Sequence, residues 1–312
     1  MKNNIILRIL AIVLTLFIVT TVLFFVFSYI SYTFILNMTF KEFFPIGLEQ
    51  YKEFLSVSVI GGDWGYTVEN DLLLEVVLPK FWYSFRYIIL ALIISIPIGF
   101  VLGVITALYH GTIFEKIISN IVLSLGSMPT FLLATAGVVL FGYVWHILPK
   151  CWYFVHFGFA TEFQGLIIPV LTLCIYPIAR ICITVKGEIL ESFNSEQYIL
   201  CKCKGLTRLQ IILRHSTKEV LLPLMPVIVD MIVFVITGSF VVEIVYKVPG
   251  IGDLLLESLI KSSGFGGYIR VDVNSIILIV AYYVFICMSL ILIADIIQKN
   301  IDPRVKQNVG IR

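Results

Sequence analysis

The sequence predicts an all-α protein that crosses a lipid bilayer several times. Three observations carry this reading. Hydrophobic residues make up 59% of the 312 residues and charged residues only 13%, about half the charged share of a soluble domain. The mean hydropathy is +1.01. Six apolar runs, at roughly 9–30, 87–109, 118–147, 165–185, 221–246 and 274–298, are each long enough for a helix of about 20 residues to span the hydrocarbon core. The loops between them are too short for a soluble catalytic domain.

The first run follows Lys2 and Arg8, as a signal peptide would. Its apolar core is too long for one, and no small-x-small cleavage site closes it, so it is read as a membrane helix. The segment 31–86 carries seven acids (Glu42, Glu49, Glu53, Asp63, Glu69, Asp71 and Glu75) and the turn-rich stretch "GGDWGYTVEN". It is read as a solvated cap between spans, able to receive a partner or substrate. The third run is long and contains "SMPTF", so Pro129 is expected to kink it, a break that neighbouring helices tolerate.

Orientation follows from Lys and Arg in short loops. With the N-terminus inside, thirteen of them lie on inner segments and eight on outer ones, while acids favour the outer side. Both termini are therefore expected to be cytoplasmic. The six cysteines, Cys151, Cys174, Cys182, Cys201, Cys203 and Cys287, form no C-x-x-C pair, which argues against a zinc site or a disulfide framework. His146 and His156 are candidates for outer-side metal contact, although lone histidines near a membrane interface are commonly structural. The ionisable residues inside spans are mainly Arg180, Asp230 and Asp295. Such residues are functional candidates, though Arg180 can also snorkel to the interface. Arg180 and Asp230 lie on adjacent spans joined by one cytoplasmic loop. They are expected to lie near the inner boundary and to pair.

That loop holds "NSEQYILCKCKGLTRLQ", residues 194–210. Asn194 or Ser195 suits an N-cap, with Gln197 helping to close the first turn. A helix is predicted over Glu196–Lys204, with Gly205 as its left-handed C′ residue. Glu196 sits at the positive end of its dipole, and Lys202 and Lys204 at the negative end. Thr207 and Gln210 form a second capping-box pattern. From this pattern alone, the insert is either a connecting hairpin or a lever that carries movement from a soluble partner to the bundle.

These residues resemble the signature loop of binding-protein-dependent ABC importer permeases, more closely the B-type permease of the oligopeptide/dipeptide family. Glu196, Gln197 and Tyr198 open the match, and Lys204, Gly205 and Leu206 close its first half. Arg214 and His215 give a basic pair, followed by Pro223. "SMPTFLLA", "GDWGYT" and "VVEIVYKVPGIGDLL" (Glu243, Pro249, Gly250, Gly252) resemble further family segments, as does "DPRV" at 302–305. Cys201 and Cys203 replace the usual small residues, a change packing should tolerate. The outer loop after the first span is shorter than is typical.

The resemblance implies a type I importer permease fold with six transmembrane helices. It divides the chain into an N-terminal helix (1–30), an outer loop (31–86), a permease domain (81–298) with its coupling loop at about 190–219, and a cytoplasmic tail (299–312). It implies a second homologous permease, two cytoplasmic ATPase subunits, an extracytoplasmic substrate-binding protein and the lipid bilayer as partners, with no nucleic acid. No G-x-x-x-x-G-K-[ST] phosphate loop occurs in the chain. ATP and Mg are then used by the ATPase partners, and this chain binds no cofactor and is not an enzyme. The expected coupling residues are Glu196, Tyr198, Lys202, Lys204, Gly205, Leu206 and Arg208, with Tyr198 as a flat anchor for an ATPase groove. Pro129, Arg180, Asp230, Glu243, Pro249 and Gly250 are structural or gating candidates. The implied cargo is a peptide. Nickel or a metal–chelator complex is the alternative within the same machine, and a channel or membrane enzyme the alternative of another class.

Overall fold

The computed structural model describes residues 2–67, 71–259, 261–262 and 269–301. Helices dominate: α1 (Lys2–Leu36), α2 (Phe40–Phe54), α3 (Leu73–Leu108), α4 (Ile113–Gly126), α5 (Thr130–Gly137), α6 (Tyr153–His156), α7 (Glu162–Ser192), α8 (Glu196–Cys203), α9 (Arg208–Ile211), α10 (Thr217–Tyr246), α11 (Ile251–Leu259) and α12 (Val273–Ile301). The strands β1 (Lys261–Ser262) and β2 (Ile269–Arg270) pair antiparallel. The chain divides into two compact units, Met1–Phe85 with Val248–Ser289 and Arg86–Lys247 with Leu290–Arg312.

Among the described residues, five helices are long and apolar enough to cross a membrane, within α1, α3, α7, α10 and α12. The expected third span is a broken pair. α4 and the helical stretch Thr130–Val144 meet at a bend of 101°, which makes up to six crossings if the pair counts as one. The expected kink is thus a full break. Pro129 takes an extended ψ of 140° and becomes the N-cap of α5, because its ring cannot continue the ladder of the preceding turn.

In the first unit, the segment after α1 is not the loop-like cap that its polar residues suggested. α2 folds back on α1 through an aromatic seam. Phe24 meets Tyr51 and Phe54 at 5.3 and 5.2 Å, and Phe43 lies between Tyr29 and Tyr32 at 5.5 Å from each. The hydroxyls of Thr21 and Tyr51 share a hydrogen bond of 2.5 Å. A Thr39–Glu42 capping box starts α2, and its periodicity was masked in the sequence by interleaved charges. The rest of α1 presents Leu10, Val13, Phe17 and Val22 outward, each about half exposed, as a lipid-facing helix does.

The second unit is built on α7. Its start is fixed by a Thr161–Gln164 capping box. Pro169 and Pro177 lie inside it, which a span enclosed by neighbouring helices accommodates. Small residues let other helices approach closely. A Cβ on Gly99 would stand 2.8 Å from Ile181 Cβ, one on Gly103 2.6 Å from Val185 Cβ, and one on Gly126 2.3 Å from Ala179 Cβ. Close approach of this kind is how helices associate in lipid, where apolar burial gives no preference for helix over lipid tail. The core joins Val104 and Ala107 of α3 with Ile181, Val185 and Ile189 of α7, and with Ile212, Val220, Leu224 and Met231.

These contacts predict the effect of adding side-chain volume. Gly103→Val should cost about 1–3 kcal/mol, the usual range for overpacking, because its neighbour is a β-branched side chain in the same core. Gly187→Ala, on the same helix system but with nothing within 4 Å of a new Cβ, should cause no loss. Thermal midpoints of the detergent-purified protein distinguish the two. Equal midpoints would remove the close-packing account.

Candidate functional site

The insert between α7 and α10 folds as helix, glycine stop, helix. Ser195 is the N-cap of α8, its Oγ accepting from the Tyr198 N–H at 3.3 Å. α8 ends at Cys203, with Lys204 as the C-cap, one residue short of the expected helix. Gly205 has φ +80°. Its N–H donates to Lys202 O at 3.0 Å, and the Leu206 N–H donates to Cys201 O at 3.3 Å. This is the Schellman pattern of paired bonds that satisfies the last carbonyls of a helix. Thr207 and Gln210 close a capping box on α9. A π-helical stretch, Ile212–Ser216, leads directly into α10.

Tyr198 does not stand ready for a partner. It is buried, with its ring 4.8 Å from that of Phe193. The Arg208 guanidinium lies 5.9 Å above the same Phe193 ring, a cation–π arrangement. Tyr198 and Arg208 thus fasten α8 and α9 to the end of α7, and Ile211 and Ile212 are buried beneath. The sequence reading missed this inward turn because Phe193 lies outside the insert's own periodicity. The outward surface instead carries Ile199 and Leu200, with Leu209 and Leu213 also exposed. Glu196, Lys202 and Lys204 are exposed, and Leu206 is half-buried. Glu196 lies in the first turn of α8 and Lys202 in its last, which suits the helix dipole.

Arg180 and Asp230 are brought together, Nη2 to Oδ2 at 4.0 Å, and Tyr176 Oη lies 3.5 Å from Asp230 Oδ2. An uncompensated charge at mid-bilayer costs roughly 2.5–3.5 kcal/mol on insertion scales, so pairing is the expected response. The pair sits near the middle of both helices, Arg180 in α7 (Glu162–Ser192) and Asp230 in α10 (Thr217–Tyr246). α7 continues seven residues past the run that ends at 185, because its last turns are covered by the insert.

The remaining candidates separate. Glu243 is fully buried on α10 and accepts a hydrogen bond from the buried Tyr87 hydroxyl of α3. Pro249 and Gly250 form a tight turn, with the Gly250 N–H 2.7 Å from Val248 O. The turn sets the start of α11, whose Ile251 N–H donates to Ser84 Oγ at 3.0 Å. Pro129 acts at the break described above. His146 takes a positive φ of 53° and His156 stacks edge-on with Phe157. Among the described residues, no group of three or more His, Cys, Asp or Glu is placed to hold a metal ion. The Asp-Pro-Arg-Val string at 302–305 and the side chains of Asp295 and His215 lie outside the described residues.

One polar centre was missed by the sequence reading. Glu115 of α4 is buried and accepts from Lys186 Nζ of α7, while Ser119 Oγ donates to it at 3.0 Å. Lys186 Nζ also reaches Ser119 Oγ at 3.0 Å. The "TIFE" string was the available signal. Thr112 caps α4 by accepting from the Glu115 N–H at 3.2 Å, which fixes the carboxylate in the first turn.

An insert of two short helices is rooted in a polytopic helical bundle with a broken span. The fold matches that of the inward-facing MetNI methionine ABC transporter in its CY5 native crystal form, with TM-score 0.56 at 16% identity over 73% of this chain and 97% of that one. Residues 99–307 match the binding-protein-dependent transport system inner membrane component family, and the chain belongs to that family. The dipeptide transport system permease DppB of Bacillus subtilis is 25% identical over 251 residues, 80% of this chain and 76% of that protein. The oligopeptide permease OppB of Escherichia coli K12 is 29% identical, and that of Salmonella typhimurium LT2 30%, each over 69% of both chains. The chain is therefore an inner-membrane permease component of a transport system and not itself an enzyme.

The Glu115–Lys186 pair yields a test. Glu115→Gln leaves a half-buried ammonium without its counter-charge and should lower the thermal midpoint. Glu115→Gln combined with Lys186→Met removes both charges and should recover most of the loss. A double variant that is worse than either single one would refute the pairing as drawn.

Proposed function

We propose that this chain forms half of the translocation path of an ATP-driven peptide importer. In this reading a second, homologous permease supplies the other half. Two cytoplasmic ATPase subunits, which use ATP and Mg, dock on the coupling segment of each permease, and an extracytoplasmic binding protein delivers the peptide. The family description supports dependence on a binding protein, and the names of the relatives support a peptide cargo. The permease domain is taken as 81–298 with both termini in the cytoplasm, preceded by the helix 1–30 and the outer segment 31–86, and followed by the tail 299–312.

The observation that carries the coupling role is the capping and anchoring of residues 194–216. α8 is capped at both ends and α9 at its N-terminus, Gly205 turns the chain between them, and Tyr198, Arg208, Ile211 and Ile212 tie the segment to the bundle. Moving a two-state bundle from 1:99 to 99:1 takes about 5.5 kcal/mol of differential interaction. A capped helix seated on buried side chains transmits a push of that size to α7 and α10, whereas a flexible loop would dissipate it in its own rearrangement. Ile199, Leu200, Lys202, Lys204 and Leu206 are assigned to the ATPase contact, with Glu196 at its edge. Tyr198 and Arg208 are assigned to the root of the lever.

The assignment separates two kinds of variant. Leu200→Glu alters only the exposed face and should leave insertion and stability intact while reducing co-purification of the ATPase and peptide uptake. Gly205→Val forces a β-branched residue into the left-handed region, at about 1–2 kcal/mol or more. It should bend the exit of α8 and lower uptake even where the ATPase still binds. Full uptake with normal ATPase association in both variants would reduce the insert to a passive linker.

A further inference from the structure

Arg180 and Asp230 form an ion pair near the middle of the helices α7 and α10, yet their side chains are 47% and 61% exposed. They are not isolated. On α7, Thr184, Gly187 and Glu191 follow Arg180 at helical spacing on the same side, half-buried or exposed. On α10, Thr237 lies two turns from Asp230 and is also exposed. Tyr176 and Phe234 stack beside the pair, with centroids 3.6 Å apart and planes at 21°. The outward residues of α1 are Leu10, Val13, Phe17 and Val22, a surface fit for lipid. A face that holds a full ion pair, two threonines and an open glycine is not fit for lipid, because ionisable groups within membrane-spanning helices face a bundle interior or water.

The pair is also loosely closed. At 4.0 Å, one guanidinium nitrogen faces Asp230 Oδ2, which also accepts from the Tyr176 hydroxyl at 3.5 Å, while a guanidinium has five donors and a carboxylate about four acceptor sites. Much of this capacity points outward. A bidentate carboxylate fits the free edge of Arg180, and an ammonium fits Asp230. We propose that Arg180 and Asp230 line the aqueous translocation path and bind the charged ends of the peptide backbone in transit: Arg180 takes the terminal carboxylate and Asp230 the terminal ammonium. Tyr176 and Phe234 give side chains of any sequence a flat apolar surface. This inference rests on the peptide-import reading and adds to it a recognition of the zwitterion, the part common to all short peptides.

The test uses the assembled complex in liposomes. First, Asp230→Cys, Thr237→Cys and, as lipid-facing control, Val13→Cys are made in a chain whose six cysteines are replaced by alanine. They are exposed to a charged, membrane-impermeant methanethiosulfonate from both sides. Positions 230 and 237 should react and position 13 should not. Second, uptake of tri-alanine and of tri-alanine amide is measured with saturating, peptide-loaded binding protein, whose affinity for each is determined separately. Arg180→Gln should reduce uptake of the free acid roughly tenfold or more, as loss of a charge-assisted bond does. It should also abolish the preference for acid over amide.

Three results overturn the proposal. Unreactive cysteines at 230 and 237 would mean that lipid or protein covers this face. Failure of Arg180→Gln to assemble with its partners, with the chain still inserted, would make the pair a subunit contact. Reactive cysteines with an unchanged acid preference would make the pair a path residue without a role in recognition. If the wild-type complex takes up neither peptide, the peptide-import reading itself fails and the recognition falls with it, while the labelling still reports whether the face is wet.

Discussion

The close approach of α3 and α4 to α7 is the constraint on which the second unit depends. Apolar side chains gain nothing by leaving lipid for another helix, so association rests on van der Waals fit and on polar contacts. Gly99, Gly103 and Gly126 supply the fit, since each sits where a Cβ would overlap a neighbour on α7. Lys186 and Glu115 supply a polar lock on the same helix. With α7 held on these sides, its Pro169 and Pro177 do not loosen the bundle.

The insert between α7 and α10 is anchored through this arrangement. α8 and α9 are too short to be stable alone, since helices of this length are marginal in water. Their caps satisfy the end groups, and Phe193 at the end of α7 receives both Tyr198 and Arg208. Because Ile212 and Val220 belong to the same core as Val185 and Ile189, movement of the segment and of the two long helices is mechanically joined. The same two helices carry Arg180 and Asp230 on their outward side. The insert and the ion pair are therefore carried by the same two helices.

Much of this was legible in the sequence, for physical reasons that differ between elements. The spans were legible because apolar length is a local quantity. The insert was legible because caps and glycine stops are written within a few residues: Ser195, Gly205, Thr207 and Gln210 all act over one turn. The pairing of Arg180 with Asp230 could be expected, because a charge inside a bilayer demands a partner and few were available. The break at Pro129 was visible as a position but not as an angle of 101°, since the angle depends on what packs on either side.

By itself, then, the sequence determined the class of protein, the number of apolar segments and the local form of the insert, because each follows from hydrogen-bond satisfaction and hydrophobicity over short stretches. The tertiary structure alone decided that Tyr198 turns inward while Ile199 and Leu200 turn outward, because the choice depends on Phe193 being within reach. It alone decided that α2 folds back along α1, because the seam joins Thr21 and Phe24 to Tyr51 and Phe54, about thirty residues further on. It alone joined Glu115 to Lys186, seventy-one residues apart. Contacts between distant segments depend on which helix faces come together, and no local pattern in the chain encodes that.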